Sequence, residues 1–222
     1  MSSDGVADHH RPWETQRRGL LLLISSPSGA GKTSLSRRLV ADHGDLTLSI
    51  SCTTRGPRPG EEEGREYYFR DRSTFDAMIE RGEFLEWADV HDNRYGTPKA
   101  PVMAALEAGK DVLFDIDWQG AAQVAEAAPA DSVRVFILPP SMADLSRRLH
   151  ARAQDAESVI QKRMRNGRSE IAEWGRYDYV IVNKNFDRAY ADLVHIYRAE
   201  RLKPGRNVWL PEFVDGLLAE QV

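Results

Sequence analysis

Short, wholly apolar runs alternate along the chain with segments whose apolar residues recur every three or four positions. Leu20–Ile24 is the first such run, as expected for a strand buried on both faces of a parallel sheet. A Gly/Ser/Pro loop over 26–31 follows. Lys32–His43 then reads as a helix with Leu35, Leu39 and Val40 on one side and Gly44 as its stop. Leu46–Ser51 reads as a second strand. The pattern changes over Thr54–Glu66, which is rich in Arg, Gly, Pro and Glu and reads as loop. Tyr67–Phe69 and Phe84–Val90 read as short strands flanking a helix, Phe75–Arg81, with Ser73 as its N-cap and Asp92-Asn93 as a turn. Thr97-Pro98 is expected to open a helix that Gly109 closes. Asp111–Ile116, Val133–Leu138 and Tyr179–Val182 complete the apolar strands. Helices are expected through His150, over Ala156–Glu173 and over Phe186–Arg201. Apolar strands alternating with amphipathic helices predict a three-layer α/β fold with a mostly parallel sheet and a small inserted lobe of mixed strands.

Composition narrows the class of function. The 222 residues carry a net charge of −4, whereas a general nucleic-acid binder is usually basic. The single cysteine, Cys52, cannot form an intrachain disulfide, and no Cys/His cluster has zinc-ligand spacing. The longest apolar run is far too short to span a bilayer, and the polar N-terminus lacks a signal peptide's apolar stretch. A cytoplasmic protein with small-molecule partners is expected, with neither nucleic acid nor membrane as partner and a homo-oligomer left open.

The strongest chemical signal is the segment Ser26, Pro27, Ser28, Gly29, Ala30, Gly31, Lys32, Thr33. It lies between an apolar strand and a helix, where backbone N–H groups converge on phosphate oxygens. Lys32 is placed to reach the β- and γ-phosphates of ATP, and the Thr33 hydroxyl to ligate Mg²⁺. The G-x-x-x-x-G-K-[ST] pattern wants glycine where this chain has Ser26. A chance glycine-rich helix cap is the competing reading, and the strand–loop–helix context argues against it.

From Ser49 onward several motifs stand in order: Ser49-Ile-Ser51-Cys52-Thr53-Thr54-Arg55-Gly-Pro-Arg58-Pro-Gly-Glu61, Gly64-Arg-Glu-Tyr67-Tyr-Phe69, Phe84-Leu-Glu86-Trp87, Asn93-Arg-Tyr95-Gly96-Thr97, Asp115-Ile-Asp117-Trp-Gln119-Gly120, Arg147-Arg148-Leu, Lys162-Arg163 and Val180-Ile-Val-Asn183. Over roughly Gly19–Leu202 the chain resembles the guanylate kinases. The resemblance implies transfer of the γ-phosphate of ATP to GMP, with Mg²⁺ accompanying ATP. The polar segment 1–18 reads as a mobile tail, ahead of a kinase domain (19–203) and a C-terminal segment (204–222). Within the domain the resemblance implies a core (19–50, 98–140 and 174–203), a GMP-binding lobe (51–97) and a lid (141–173).

The residue chemistry runs alongside. A monophosphate dianion needs forked cationic donors, for which Arg55 and Arg58 are candidates, although arginines in such a loop are by default a solvated face. Tyr67 and Tyr95 can add hydroxyl donors or be half-buried packing residues. Glu86 can accept from guanine N1–H and N2–H together, with the Ser51 and Thr97 hydroxyls completing the base contacts; its alternative is a solvated strand carboxylate. Asp115 ends a buried strand on the phosphate-loop side; its competing role is a helix or turn cap, which Asp117 could equally fill. The resemblance places both Asp115 and Asp117 near GMP and the metal, with Asp115 reaching Mg²⁺ through water, and the residues leave open which of the two serves the metal. Arg148 and Arg152 share a helix face and can neutralise charge on a phosphoryl group in flight. Arg163 resembles a third such arginine, and Asn183 resembles the family's adenine contact. Ala151 and Ala153 stand where the family has flexible glycines, and Lys184 where it has an acid. Two other readings compete: a related kinase with another phosphorylated acceptor, and a non-catalytic phosphopeptide-binding module of the same family. Cys52 is expected to be structural.

Overall fold

The computed structural model describes residues 17–90, 92–151 and 156–220. The N-terminal strand β1, Leu21–Ser25, lies at the centre of a five-stranded parallel sheet with β2 (Leu46–Leu48), β7 (Asp111–Asp115), β8 (Ser132–Leu138) and β9 (Tyr179–Val182), in the order β2-β7-β1-β8-β9. Successive side chains of a strand point to opposite faces, and the run Leu20–Ile24 divides accordingly. Leu20, Leu22 and Ile24 join a cluster with Leu35 and Leu39 of helix α1 (Lys32–Asp42) and with Leu193 and Tyr197 of helix α7 (Phe186–Arg201). Leu21 and Leu23 join the opposite cluster, with Val102 and Leu106 of α3 (Lys99–Glu107) and Ala121 and Val124 of α4 (Trp118–Ala127). This is the three-layer α/β arrangement expected from the pattern.

The lobe between β2 and α3 is a four-stranded mixed sheet, order β4-β3-β6-β5, with β3 at Ser51–Thr53, β4 at Tyr67–Phe69, β5 at Phe84–Val90 and β6 at Asn93–Pro98; helix α2 (Arg72–Glu80) connects β4 to β5. Two further helices, α5 (Met142–Ala151) and α6 (Glu157–Ala172), stand between β8 and β9 and bury Leu145, Leu149 and Ile160 together.

Several local expectations are corrected. The single strand read over Leu46–Ser51 is two, because the chain leaves one sheet after Leu48 and enters the other at Ser51. Thr97-Pro98 ends strand β6, where Thr97 pairs with Glu86, and Pro98 then caps the helix that begins at Lys99 instead of lying in its first turn. The α2 cap is Asp71, whose carboxylate accepts from the Thr74 N–H at 2.7 Å; Ser73 instead donates its hydroxyl to Asp71. Helix α4, not anticipated, is capped by Asp117 through Gly120 N–H at 2.9 Å.

Arg17 and Arg18, from the segment read as a tail, and Arg206 of the C-terminal segment take part in the fold, while residues 1–16 lie outside those described. Arg17 makes a two-pronged pair with fully buried Asp111 at 2.6 and 2.7 Å, and Arg18 does the same with Asp131 at 2.7 Å. Arg206 is buried, and its carbonyl accepts from Arg18 N–H at 2.7 Å. Its guanidinium donates to Asp131 O at 3.2 Å and pairs with buried Glu200. Buried charges need such partners, so these arginines close the base of the core. A last helix, α8, runs Leu210–Ala219.

Candidate active site

The phosphate loop lies at the carboxyl end of β1, where ligands bind in open α/β sheets. Gly31 caps α1 with φ +103°, a left-handed conformation that a side chain disfavours. A β-carbon there would also stand 2.4 Å from the Asn183 amide nitrogen, so glycine is required twice over. Ile24 of β1 registers with Asp115 of β7, which brings that carboxylate beside the loop. The Lys32 ammonium sits 2.6 Å from Asp115 Oδ1 and donates to Ile116 O at 2.9 Å. A cavity of about 280 Å³ opens here, lined by the loop, Thr33, Asp115, Asp117 and Glu170.

Helices α5 and α6 and the strand end after β9 brace the loop from outside. Asn183, buried, donates its side-chain amide to Ala30 O at 2.8 Å. Arg148 spans two carbonyls, donating to Ala30 O at 3.2 Å and to Asn183 O at 2.8 Å. Leu145 and Leu149 close on Gly29, where a β-carbon would meet them at 3.1–3.3 Å. A β-carbon on Gly167 of α6 would lie 3.5 Å from Pro27. Asn183 was expected to face adenine; here its amide nitrogen points beneath the loop, where it shares the buried Ala30 carbonyl with Arg148. Arg163 stands on the same α6 face as Gly167, one turn away. Arg152 lies outside the described residues.

The second constellation is in the four-stranded sheet. A register shift between Phe84 and Glu86 sends Leu85 into the core and sets Glu86 directly opposite Thr97. Thr97 donates its hydroxyl to Glu86 Oε1 at 2.6 Å, and the Ser51 and Thr97 hydroxyls lie 3.3 Å apart. Burial pushes the Glu86 carboxyl above its ordinary value of 4.5; the Thr97 hydroxyl opposes this and the Asp117 charge adds to it. Asp117 lines the phosphate cavity, and its charge adds to the rise of the Glu86 carboxyl.

A third group sits at the lobe's outer end. Arg55 is gripped by Glu61 through two hydrogen bonds of 2.9 and 3.0 Å and lies over the Tyr67 ring, 5.4 Å from its centre. Tyr67 meets Tyr95 edge to face at 6.0 Å. Arg58 is exposed, its backbone N–H held by Glu61 at 2.8 Å. Cys52 is buried and its thiol is pushed up to about 11 by that burial, which makes it inert.

The residue pattern had not singled out Glu61 or Glu170. The first closes the Arg55–Glu61 motif that carries the resemblance, where no role of its own was read. The second did: seven positions after Arg163, it shares that residue's helix face. Burial raises the Glu170 carboxyl above its ordinary value; the Ser28 N–H lowers it, Asp117 raises it and Lys32 lowers it.

No group of three or more His, Cys, Asp and Glu able to hold a metal occurs among the described residues. The oxygens of Thr33 and Asp115 are hard donors and suit Mg²⁺, an ion that keeps several waters and takes few protein ligands.

A family model described as guanylate kinase matches residues 18–200. A guanylate kinase of Caulobacter vibrioides is 60% identical over 205 residues, covering 92% of this chain and 96% of that one. A guanylate kinase of Maricaulis maris is 54% identical over 221 residues, covering 99% of this chain and 100% of that one. The crystal structure of guanylate kinase from Anaplasma phagocytophilum superposes with a TM-score of 0.71 at 34% identity, covering 93% of this chain and 99% of that one. No helix of the described residues is long and apolar enough to cross a membrane.

Proposed function

The chain belongs to the guanylate kinase family, and on that premise we propose that it transfers the γ-phosphate of ATP to GMP, giving ADP and GDP. The observation that carries this reading is the presence in one fold of two sites of different chemistry, with Asp117 lining the first. On one side is a glycine-rich loop with Lys32. On the other is the hydroxyl–carboxylate set Ser51, Thr97 and Glu86. The first suits a nucleoside triphosphate and the second a base offering two adjacent donors.

In this reading GMP enters the four-stranded lobe. Glu86 accepts from guanine N1–H and the N2 amino group, and Ser51 and Thr97 turn their hydroxyls to the base. Adenine presents a bare N1 lone pair to the same carboxylate, so it is rejected by repulsion and by buried groups left unpaired. Arg55, Arg58, Tyr67 and Tyr95 receive the GMP phosphate, and for this Arg55 exchanges the Glu61 carboxylate for phosphate oxygens. ATP phosphates enter the 26–33 loop, whose N–H groups bind them, and Lys32 leaves Asp115 for the β- and γ-phosphates. Thr33 and, through water, Asp115 would hold Mg²⁺, which supplies charge neutralisation when bound. Asp117 faces the acceptor side.

A phosphate oxygen of GMP then forms a bond to the γ-phosphorus as the bond to the β-phosphate oxygen breaks. Charge spreads over the moving group, and Lys32, Arg148, Arg152 and Arg163 neutralise it. Positioning and charge suffice, and no general base is needed.

The test is product identity. Purified protein with ATP and each nucleoside monophosphate in turn is expected to yield ADP and GDP from GMP, with kcat/KM for AMP lower by at least about 10³. Equal turnover of another monophosphate would overturn the acceptor assignment.

A further inference from the structure

We propose that Gln123 of helix α4 is a positioning residue for recognition of the acceptor base: it holds strand β5 so that Glu86 stands opposite Thr97. The proposal rests on the kinase reading above and adds to it a residue outside both the hydroxyl–carboxylate set and the phosphate loop.

Strand β5 is an edge strand, last in the order β4-β3-β6-β5. Backbone groups on one of its sides bond to β6, and those on the other have no strand to meet. Trp87 turns its backbone to that outer side. Its N–H donates to Gln123 Oε1 at 3.1 Å, and its carbonyl accepts from Gln123 Nε2 at 3.3 Å. A side-chain amide carries the same donor and acceptor as a peptide group, so Gln123 stands in for a neighbouring strand at this one residue.

The same helix holds β5 on the other side of Glu86. Leu85 is buried in the core cluster that includes Ala121 and Val124 of α4. Glu86 thus sits between two anchors on one helix, apolar at Leu85 and polar at Trp87. The register shifts between Phe84 and Glu86, and a slip of one position would turn the carboxylate to the other face. Apolar burial is non-directional and resists such a slip only weakly. Two hydrogen bonds to one peptide unit are directional and fix the position of β5 along its own axis. The helix is itself secured at its start, where the Asp117 carboxylate accepts from Gly120 N–H at 2.9 Å. Gln123 is half-buried, so water can reach the Trp87 groups when its amide is removed, and the fold is expected to survive the loss.

The experiment uses Gln123→Met in the full chain, which keeps the length of the side chain and removes both polar atoms. KM for GMP is expected to rise about 5-fold or more, with kcat and KM for ATP within about twofold of wild type. The GMP/AMP ratio of kcat/KM is expected to narrow by about 5-fold. The cycle with Glu86→Gln separates positioning from packing. If Gln123 works through Glu86, its penalty on GMP shrinks to within about twofold in the Glu86→Gln background. A penalty of full size in that background would overturn the proposal, as would wild-type KM and selectivity in Gln123→Met alone. Equal losses toward ATP and GMP would also overturn it, because they report a general loss of structure. Exchange of the Trp87 amide in nucleotide-free protein tests the clamp without activity: protection is expected in wild type, with exchange about 10-fold faster in Gln123→Met. An unprotected Trp87 amide in wild type would overturn the clamp. If Gln123→Met does not fold, Gln123→Ala and the wild-type exchange decide by the same criteria. Wild-type protein that does not phosphorylate GMP would instead sink the kinase reading, and the exchange measurement would still judge the clamp.

Discussion

The ammonium of Lys32 is 2.6 Å from Asp115 Oδ1, so the phosphate loop's cation is already paired by the carboxylate that ends the neighbouring strand. The parallel register of β1 and β7 makes this pair, since Ile24 lies beside Asp115. An incoming phosphate must win Lys32 from Asp115, and the metal assigned to Asp115 would compensate the carboxylate that is released.

Lys32→Ala is accordingly expected to lower kcat by a factor of about 10²–10⁴, the effect of removing a charge that acts on the transition state. The partners are both partly solvated, so thermal unfolding is expected to shift little. A coupled assay with ATP and GMP checks the first statement and calorimetric melting the second. Near-wild-type turnover in folded protein would remove Lys32 from the mechanism.

Arg148 spans the Ala30 and Asn183 carbonyls with a planar fork. Lysine cannot reproduce two fixed donors. Arg148→Lys is therefore expected to lose kcat almost as fully as Arg148→Ala, about 10²-fold or more, while the GMP dissociation constant stays within about twofold. Steady-state kinetics combined with GMP titration distinguishes this from a general loss of structure.

Glu86→Gln keeps the shape of the base site but replaces an acceptor oxygen with a donor. A loss of about 1.5–3 kcal/mol in kcat/KM for GMP is expected, with a narrowed GMP/AMP ratio. Because burial raises the Glu86 carboxyl, the native state holds that proton more tightly than the unfolded chain does. Its ionisation therefore lowers stability as pH rises from the ordinary carboxyl value of 4.5 through the raised one. Two outcomes follow. Wild-type GMP affinity should fall on acidification at a pH above 4.5, a limb absent in Glu86→Gln. At neutral pH the variant should melt a few degrees higher than wild type. A lower melting temperature with an unchanged pH profile would contradict the buried-carboxylate account.

His150 ends α5 with Nδ1 2.7 Å from Ser146 O and Nε2 3.1 Å from Glu157 of α6. Both ring nitrogens face acceptors, so the imidazolium is favoured and its pKa lies above 6.5, chiefly through the Ser146 carbonyl and then Glu157. The stabilisation is complete below 6.5 and is lost as pH rises through the native value. NMR titration should place the midpoint above 6.5, moving down in Glu157→Gln. An unmoved midpoint would break the link between the two helices.

The sequence by itself determined what depends on near neighbours. The apolar run Leu20–Ile24 could only be a strand buried on both faces. The glycines of the 26–33 loop, with Lys32 and Thr33 behind them, form their cradle from consecutive backbone groups. The motifs of the small lobe were legible as a set, and with them the family. What the tertiary structure decided is how distant residues meet. The strand break after Leu48 hands Ser51 to a second sheet, and one extra residue at Leu85 brings Glu86 opposite Thr97. A slip of one position would have turned Glu86 to the other face. Glu170 reaches the phosphate cavity from a helix far along the chain, and Asn183 turns under the loop to the Ala30 carbonyl, which Arg148 also serves. Arg17 and Arg18, from the segment read as a tail, and Arg206, from the C-terminal segment, became the core's base, because Asp111, Asp131 and Glu200 are buried and need partners. Pairing, register and burial are properties of the closed structure, and no window of the chain contains both partners.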